Sequence, residues 1–429
     1  MNRLFRLIYS VIFYLLTPVI IARLLYRAIK APAYRSRWAE RFGWVPSVTS
    51  DSDFIWVHAV SVGETLAAVP LVKALQAKYP DYRLIVTCMT PTGSERIKAA
   101  FGGSVDHCYA PYDMPDSVAR FLNRVKPKIL IIMETELWPN TIAACHKHNI
   151  PVLLANGRLS EKSANAYKRI QPLVRSMLGQ ITAVAAQHRD DGARFNDLGL
   201  AESALTVTGN IKFDLSLNQT IKQNAQRLLR DWRGVSERPI LLAASTHRGE
   251  DEIILDAFGQ LKQQLKGTID NPLLVLVPRH PERFNQVAEL CSAADFKLAR
   301  RSFGDSVEAA DILLGDTMGE LMTFFGACDI AFVGGSLVAT GGHNMIEPAA
   351  WGVPVLTGPH LFNFTEASQL LLEGNAMKVC HNADQLAERC VELFQDRQLR
   401  SEMGSAAQRI AEANRGALEK LLALVERTL

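Results

Sequence analysis

DFIWVHAVSVGETLAAVPLVKALQAKY, residues 53–79, is the stretch that decides the fold. An apolar run ends at Val60, a short turn covers Ser61–Gly63, and from Thr65 onward apolar residues recur at helical spacing. Short, fully apolar runs are the signature of strands buried on both faces of a parallel sheet. The segment therefore predicts strand, turn and helix, with Glu64 in the first helical turn. A carboxylate there complements the helix dipole, which favours its ionised form. Position alone leaves open whether Glu64 caps a helix or does chemistry.

The same rhythm continues outward. RLIVTCMT (83–90), KILIIM (128–133), PVLLANGR (151–158), TAVAAQ (182–187) and ALTVTGN (204–210) are strand-like and separated by turns and helical segments. A second series follows a polar helical connector: RPILLAAST (238–246), PLLVLVPRH (272–280), DILLGD (311–316), CDIAFVGGS (328–336) and VPVLTG (353–358). Strand–helix alternation of this kind predicts an α/β, doubly wound fold, here in two copies. The expected organisation is an N-terminal hydrophobic helix over 1–30, a Rossmann-like domain over 31–215 and a connector over 216–237. A second Rossmann-like domain covers 238–400, and a terminal helix over 401–429 returns to the first. Two such domains facing a cleft form the GT-B architecture, with ligands beyond the carboxyl ends of the strands. No G-x-G-x-x-G follows the first strand and no G-x-x-x-x-G-K-[ST] occurs, which argues against dinucleotide oxidoreductases and P-loop NTPases.

A net charge of +3 over 429 residues is too small to argue for a nucleic-acid partner. Seven scattered cysteines without a CxxC pair argue against zinc and against a disulfide framework, and no metal or cofactor is expected. Positive charge is concentrated at the start, where Arg3, Arg6, Arg23, Arg27, Lys30, Arg35, Arg37 and Arg41 face one acid, Glu40. Between Arg6 and Arg23 lies LIYSVIFYLLTPVIIA. As a helix it reaches ~24 Å, short of a hydrocarbon core of about 30 Å. No small-residue cleavage site follows it. A tilted anchor and a helix lying in the interface both fit, with the basic flank on anionic lipids and the bulk of the chain in the cytoplasm.

Several loops after strands carry chemistry-bearing residues. Pro278, Arg279 and His280 suit an anion or a nucleobase. Met318, Gly319 and Glu320 lie in a strand-to-helix turn whose amides suit phosphate, with capping by Asp316 or Thr317 as the plain alternative. Gly334, Gly335 and Ser336 let a donor sugar approach the backbone. Asn344, Met345, Ile346 and Glu347 open a helix on which a carboxylate can accept both hydroxyls of a ribose. In the first half Glu134 and Glu136 follow a strand, and on an extended segment only one of them would face the cleft. Asn156, Arg158 and Ser160 follow the next strand and serve either the acceptor or the local structure.

With these motifs in view the chain resembles the 3-deoxy-D-manno-octulosonic acid (Kdo) transferases of lipopolysaccharide synthesis. SVGE (61–64), METELWPN (133–140), NGRLS (156–160), PRHPERF (278–284), DTMGEL (316–321) and GGHNMIEPAAWGVPV (341–355) occur in the family's order along nearly the full length. The resemblance implies an inverting, metal-independent GT-B enzyme moving Kdo from CMP-Kdo to a lipid A precursor (lipid IVA) and adding one or two units in all. The work is done at the cytoplasmic face of the inner membrane. It makes Glu64 the general base, the first domain the acceptor side, and the loops at 278–280, 318–320 and 344–347 the CMP site. The competing readings are a GT-B transferase using a UDP-sugar, a nucleotide-sugar epimerase on the same scaffold, and a non-catalytic lipid-binding scaffold.

Overall fold

The computed structural model describes residues 2–45, 53–215, 217–235, 237–269 and 271–429. The side chains of Arg3 and Lys30, and Ser216 and Ser236 of the expected connector, lie outside the described residues. The chain divides into two compact units, one of Met1–Asp214 with Arg415–Leu429 and one of Leu215–Asn414.

The first unit is built on β1 (Phe54–His58), β2 (Arg83–Cys88), β3 (Asp106–Tyr109), β4 (Pro127–Met133), β5 (Val152–Gly157), β6 (Ala183–Ala186) and β7 (Leu205–Val207). Their order is β3-β2-β1-β4-β5-β6-β7, every pairing parallel. Successive side chains of β1 point to opposite faces. Trp56 joins Phe121 and Leu130 in one core, while Ile55 and Val57 join Leu71, Leu75 and Ile131 in the other. The chain reverses direction across the sheet at β1, so the loops after β1 and β4 diverge and leave a crevice between them.

The second unit carries β8 (Ile240–Thr246), β9 (Leu273–Pro278), β10 (Leu298–Arg300), β11 (Ile312–Leu314), β12 (Ile330–Val333), β13 (Val355–Thr357) and β14 (Met377–Val379). The order is β10-β11-β9-β8-β12-β13-β14, again parallel, with the reversal at β8. Three strands escape the sequence reading: β3, β10 and β14. All three are edges of only three or four residues, and DHCY, LAR and MKV mix polar with apolar residues because one side of each strand has no neighbour.

Two boundaries differ from expectation. The terminal stretch over 401–429 is two helices, Arg397–Ala413 and Ala417–Thr428, broken at a left-handed Gly416 (φ 89°). The Asp214 carboxylate accepts the backbone N–H groups of Gly416 and Leu418, each at 2.5 Å, and so starts the second helix. That helix packs Leu421, Leu424 and Val425 into the first unit's core, while its predecessor belongs to the second unit. The expected connector contains the helix Gln219–Arg233, which buries Leu228 and Trp232 under the second sheet and belongs to that unit. Its polar composition reflects only the face left in water.

The N-terminus forms two helices, Asn2–Leu15 and Thr17–Lys30, and their apolar parts meet at a 46° bend. Among the described residues no single helix is long and apolar enough to cross a membrane. One face packs on the first unit through Leu24, Ala28, Phe13 and Ile20. The opposite face leaves Leu4, Leu7, Val11, Leu15, Val19, Leu25 and Ile29 about half to three-quarters exposed. Two cations assigned to lipid headgroups are spent internally. Arg41 is 2% exposed, lies 4.1 Å from the Tyr109 ring and donates to the Met89 carbonyl. Arg37 pairs with Glu40 at 2.7 Å.

Candidate active site

In the first unit Glu64 stands at the carboxyl end of β1, on the helix Val62–Lys78. Ser61 caps that helix: its hydroxyl accepts the Glu64 N–H at 3.2 Å and donates to the Glu64 carboxylate at 2.6 Å. The carboxylate also accepts the Val60 N–H at 2.7 Å. These contacts favour the ionised form, as the sequence suggests, yet the outcome is the reverse. Glu64 is only 6% exposed, and burial, opposed by the Ser61 and Val60 bonds and reinforced by Glu136 and Glu134, pushes it up to about 7. Desolvation outweighs these bonds, which reach both oxygens, because the few donors do not replace the water the buried carboxylate has lost.

Glu136 and Glu134 both act electrostatically on Glu64. The segment after β4 is a turn and not an extended strand, and Glu134 has a left-handed backbone (φ 55°). Glu134 accepts from Lys212 Nζ at 3.0 Å. Glu136 accepts from Trp138 Nε1 at 3.0 Å and is raised by burial. The Trp138 ring meets His58 edge-on at 4.5 Å. His58, on β1, bonds Thr87 through Nδ1 at 2.9 Å, while its buried Nε2 has no partner. Burial drives its pKa down to about 3, so the ring is neutral.

The end of β5 and the loop after it divide their candidates. Arg158 lies beside the Glu134–Glu136 turn, its carbonyl accepting the Thr135 hydroxyl at 2.7 Å. Asn156 instead accepts the Ile211 N–H at 3.0 Å, and Ser160 caps the helix Glu161–Lys168. Those two are structural.

In the second unit the loops after β8, β9 and β12 converge. His247 and His343 place their Nε2 atoms 2.8 Å apart with rings 8° from parallel, and His280 meets His247 edge-on at 5.3 Å. Arg279 acts electrostatically on His247, His343 and Glu347, which brings the PRH and NMIE loops to one place. Burial, with help from Arg279, lowers His343 to about 3; burial also lowers His247. Glu347 accepts from Asn344 Nδ2 at 3.2 Å, and burial raises it to about 7 against the pull of Asn344 and Arg279. Met345 and Ile346 are fully buried, so Asn344 and Glu347 alone of that loop can meet a ligand. Pro278 ends β9, directly before Arg279.

Met318–Glu320 is held separately, on the loop after β11, which neighbours β9. Arg301 grips Glu320 with two nitrogens, at 2.7 and 3.2 Å, and Thr317 donates to the same carboxylate. These bonds hold Glu320 below its usual range. Asp316 is engaged by Arg300 at 2.7 Å and by Ser302, not by the helix it was expected to cap. Met318 is 65% exposed and Gly319 has open space around it.

Sequence reasoning missed Glu250. Fully buried after β8, its carboxylate accepts four backbone N–H groups: His247 at 2.8 Å, Gly335 at 2.6 Å, Ser336 at 2.9 Å and Leu337 at 2.8 Å. The amides of Gly335 and Ser336, expected to face a sugar, already have an acceptor. Gly334 is small for the chain's own sake, because a Cβ there would lie 2.8 Å from the Ser245 carbonyl oxygen. The THRGED signal is present at residues 246–251, but three of the four partner amides are about 85 residues away.

Two parallel seven-stranded Rossmann-like units, each with its polar loops beyond the carboxyl ends of the strands, define a GT-B glycosyltransferase fold. The structure of a glycosyltransferase from Rickettsia africae matches it over 88% of this chain and 99% of that one, at TM-score 0.53 and 16% identity. Residues 36–215 match the family described as 3-deoxy-D-manno-octulosonic-acid transferase (kdotransferase). The 3-deoxy-D-manno-octulosonic acid transferase of Haemophilus influenzae is 44% identical over 99% of this chain and 98% of its own length. That of Bordetella pertussis is 37% identical over 87% of this chain and 86% of its own. The chain belongs to the 3-deoxy-D-manno-octulosonic acid transferase family.

Proposed function

We propose that this enzyme transfers Kdo from CMP-Kdo to the glucosamine disaccharide of a lipid A precursor with inversion, Glu64 acting as general base. The observation that carries the base assignment is a buried carboxylate, held on two sides at the strand-reversal crevice and titrating near neutrality. A base of this kind is half ionised at pH 7 and strong enough to take a hydroxyl proton late in a displacement. The departing CMP is stable as an anion and needs no proton. Arg279 supplies positive charge for its phosphate, His280 beside it offers a ring nitrogen, and Glu347, steered by Asn344, accepts ribose hydroxyls. Gly319, with room around it, lets a phosphate approach the Met318–Glu320 turn. Arg158, beside the Glu134–Glu136 turn, suits a phosphate on the acceptor.

The same reading seats the two N-terminal helices flat in the cytoplasmic headgroup layer of the inner membrane. Its support is the bend and the exposed apolar face opposite the packed one. Incubating the full chain with CMP-Kdo and a tetraacylated lipid A precursor should add Kdo mass to the acceptor. Absence of any gain with active substrates sinks the proposal, and the mass itself counts the units added. Leu7→Glu with Leu15→Glu should abolish flotation with vesicles while leaving thermal stability unchanged.

A further inference from the structure

A cavity of about 580 Å³ opens between the helices Asn2–Leu15, Pro139–Lys147 and Gln171–Leu178. Arg6, His146 and Lys147 bring three basic side chains to it, Leu173 and Met177 give it apolar wall, and Gln180 adds an amide. No Asp or Glu lines it, and among the described residues no salt bridge joins any of the three basic groups to a carboxylate. His146 and Lys147 end their helix, where a cation complements the dipole without any ligand. That does not account for Arg6, brought to the same cavity from the far end of the first unit's sequence.

Arg6 is placed by a built contact. One turn further along its helix, Ser10 and Asn140 exchange hydrogen bonds at 3.0–3.2 Å, and Asn140 in turn donates to the Asp113 carbonyl at 2.7 Å. Asp113 accepts the N–H groups of Asn140 and Thr141, so the start of the helix Pro139–Lys147 and the N-terminal helix are locked together. The outer face of that N-terminal helix is the exposed apolar one, with Leu4 and Leu7 flanking Arg6. Positive charge, apolar wall and a lipid-facing rim therefore meet in one concavity.

We infer that this cavity binds the headgroup of one anionic membrane phospholipid, its phosphate on Arg6 and Lys147 and its first acyl carbons along Leu173 and Met177. The inference rests on the proposed seating of the N-terminal helices in the headgroup layer. The bound lipid is a bystander to the chemistry. Pro139, which follows the Glu136 turn, lines the near end of the cavity, while Lys147, which holds the phosphate, lies ~12 Å further along that helix. Such a lipid fixes the depth and tilt of the first unit at the surface without occupying the acceptor's place.

The test uses the full chain, purified in mild detergent, in native mass spectrometry and in flotation with phosphatidylglycerol-containing or pure phosphatidylcholine vesicles. Wild type should retain one anionic phospholipid and prefer the anionic vesicles. Arg6→Gln with Lys147→Gln should lose the lipid and reduce that preference about 25-fold, at about fivefold per cation. Lys73→Gln with Lys98→Gln, which removes equal charge from exposed positions outside the cavity, should keep both. Ser176→Trp, which fills the cavity and leaves the cations, should also expel the lipid. Equal losses in the control pair, or retention of the lipid by the Arg6/Lys147 pair, would overturn the site. Failure of wild type to float with either vesicle would instead overturn the membrane seating. An unchanged vesicle preference in the Arg6/Lys147 pair, with KM raised more for a bisphosphorylated than for a monophosphorylated acceptor, would overturn the lipid site and assign the cavity to the acceptor.

Discussion

The hydroxyl of Ser61 lies between the backbone and the side chain of Glu64, accepting from the one at 3.2 Å and donating to the other at 2.6 Å. A single capping box thus starts the helix and holds the base. Ser61→Ala removes both bonds. The cost in stability should be about 1 kcal/mol, as for other N-caps. Because the lost bond favours the carboxylate, the Glu64 pKa should rise, and the acidic limb of kcat/KM should move to higher pH. An unmoved limb would separate Ser61 from the base.

The wild-type profile itself discriminates between the two accounts of Glu64. A base held down by a helix terminus would be ionised throughout pH 5–8 and leave the rate flat there. A base raised to about 7 makes kcat/KM climb with pH up to that value and level off above it. Initial rates from pH 5.5 to 8.5 at fixed ionic strength decide the matter.

Glu64→Gln should keep CMP binding and reduce transfer by about 10²–10⁴-fold, the usual worth of a positioned base. Near wild-type turnover would refute the assignment. The same variant reports on stability with a definite sign. The folded pKa of about 7 lies above the ordinary 4.5, so the proton stabilises the fold below pH 4.5 and that stability is lost as pH rises through 7. Glutamine does not titrate. The variant should therefore gain on wild type by roughly 2–3 kcal/mol between pH 4.5 and pH 8, read from denaturation midpoints.

Glu250 anchors the loop after β12 to the loop after β8. Glu250→Ala leaves four buried N–H groups without an acceptor and should cost at least ~3 kcal/mol. Glutamine is not conservative here. Each carboxylate oxygen serves two N–H groups, so either amide orientation sets an NH₂ against two donors. Glu250→Gln should fold with a lowered Tm and raise the KM for CMP-Kdo more than it lowers kcat, through the displaced His247 and His343. A fall in Tm alone, with KM unchanged, would confine Glu250 to stability.

The sequence by itself determined the two-domain α/β fold, because central parallel strands are buried on both faces and read as unbroken apolar runs. It also pointed to the strand-end loops that carry Glu64, Arg279 and Glu347, since turn residues there are local signals. The edge strands β3, β10 and β14 left no such mark. Only the tertiary structure decided how the carboxylates titrate, because desolvation depends on what packs around a side chain and not on its neighbours in the chain. It alone brought His247 to His343 and Glu250 to the amides of Gly335–Leu337, contacts that close across many tens of residues. Glu64 shows both halves of this. Its place on the helix is written in SVGE, and its strength as a base is set by burial beside Glu134 and Glu136.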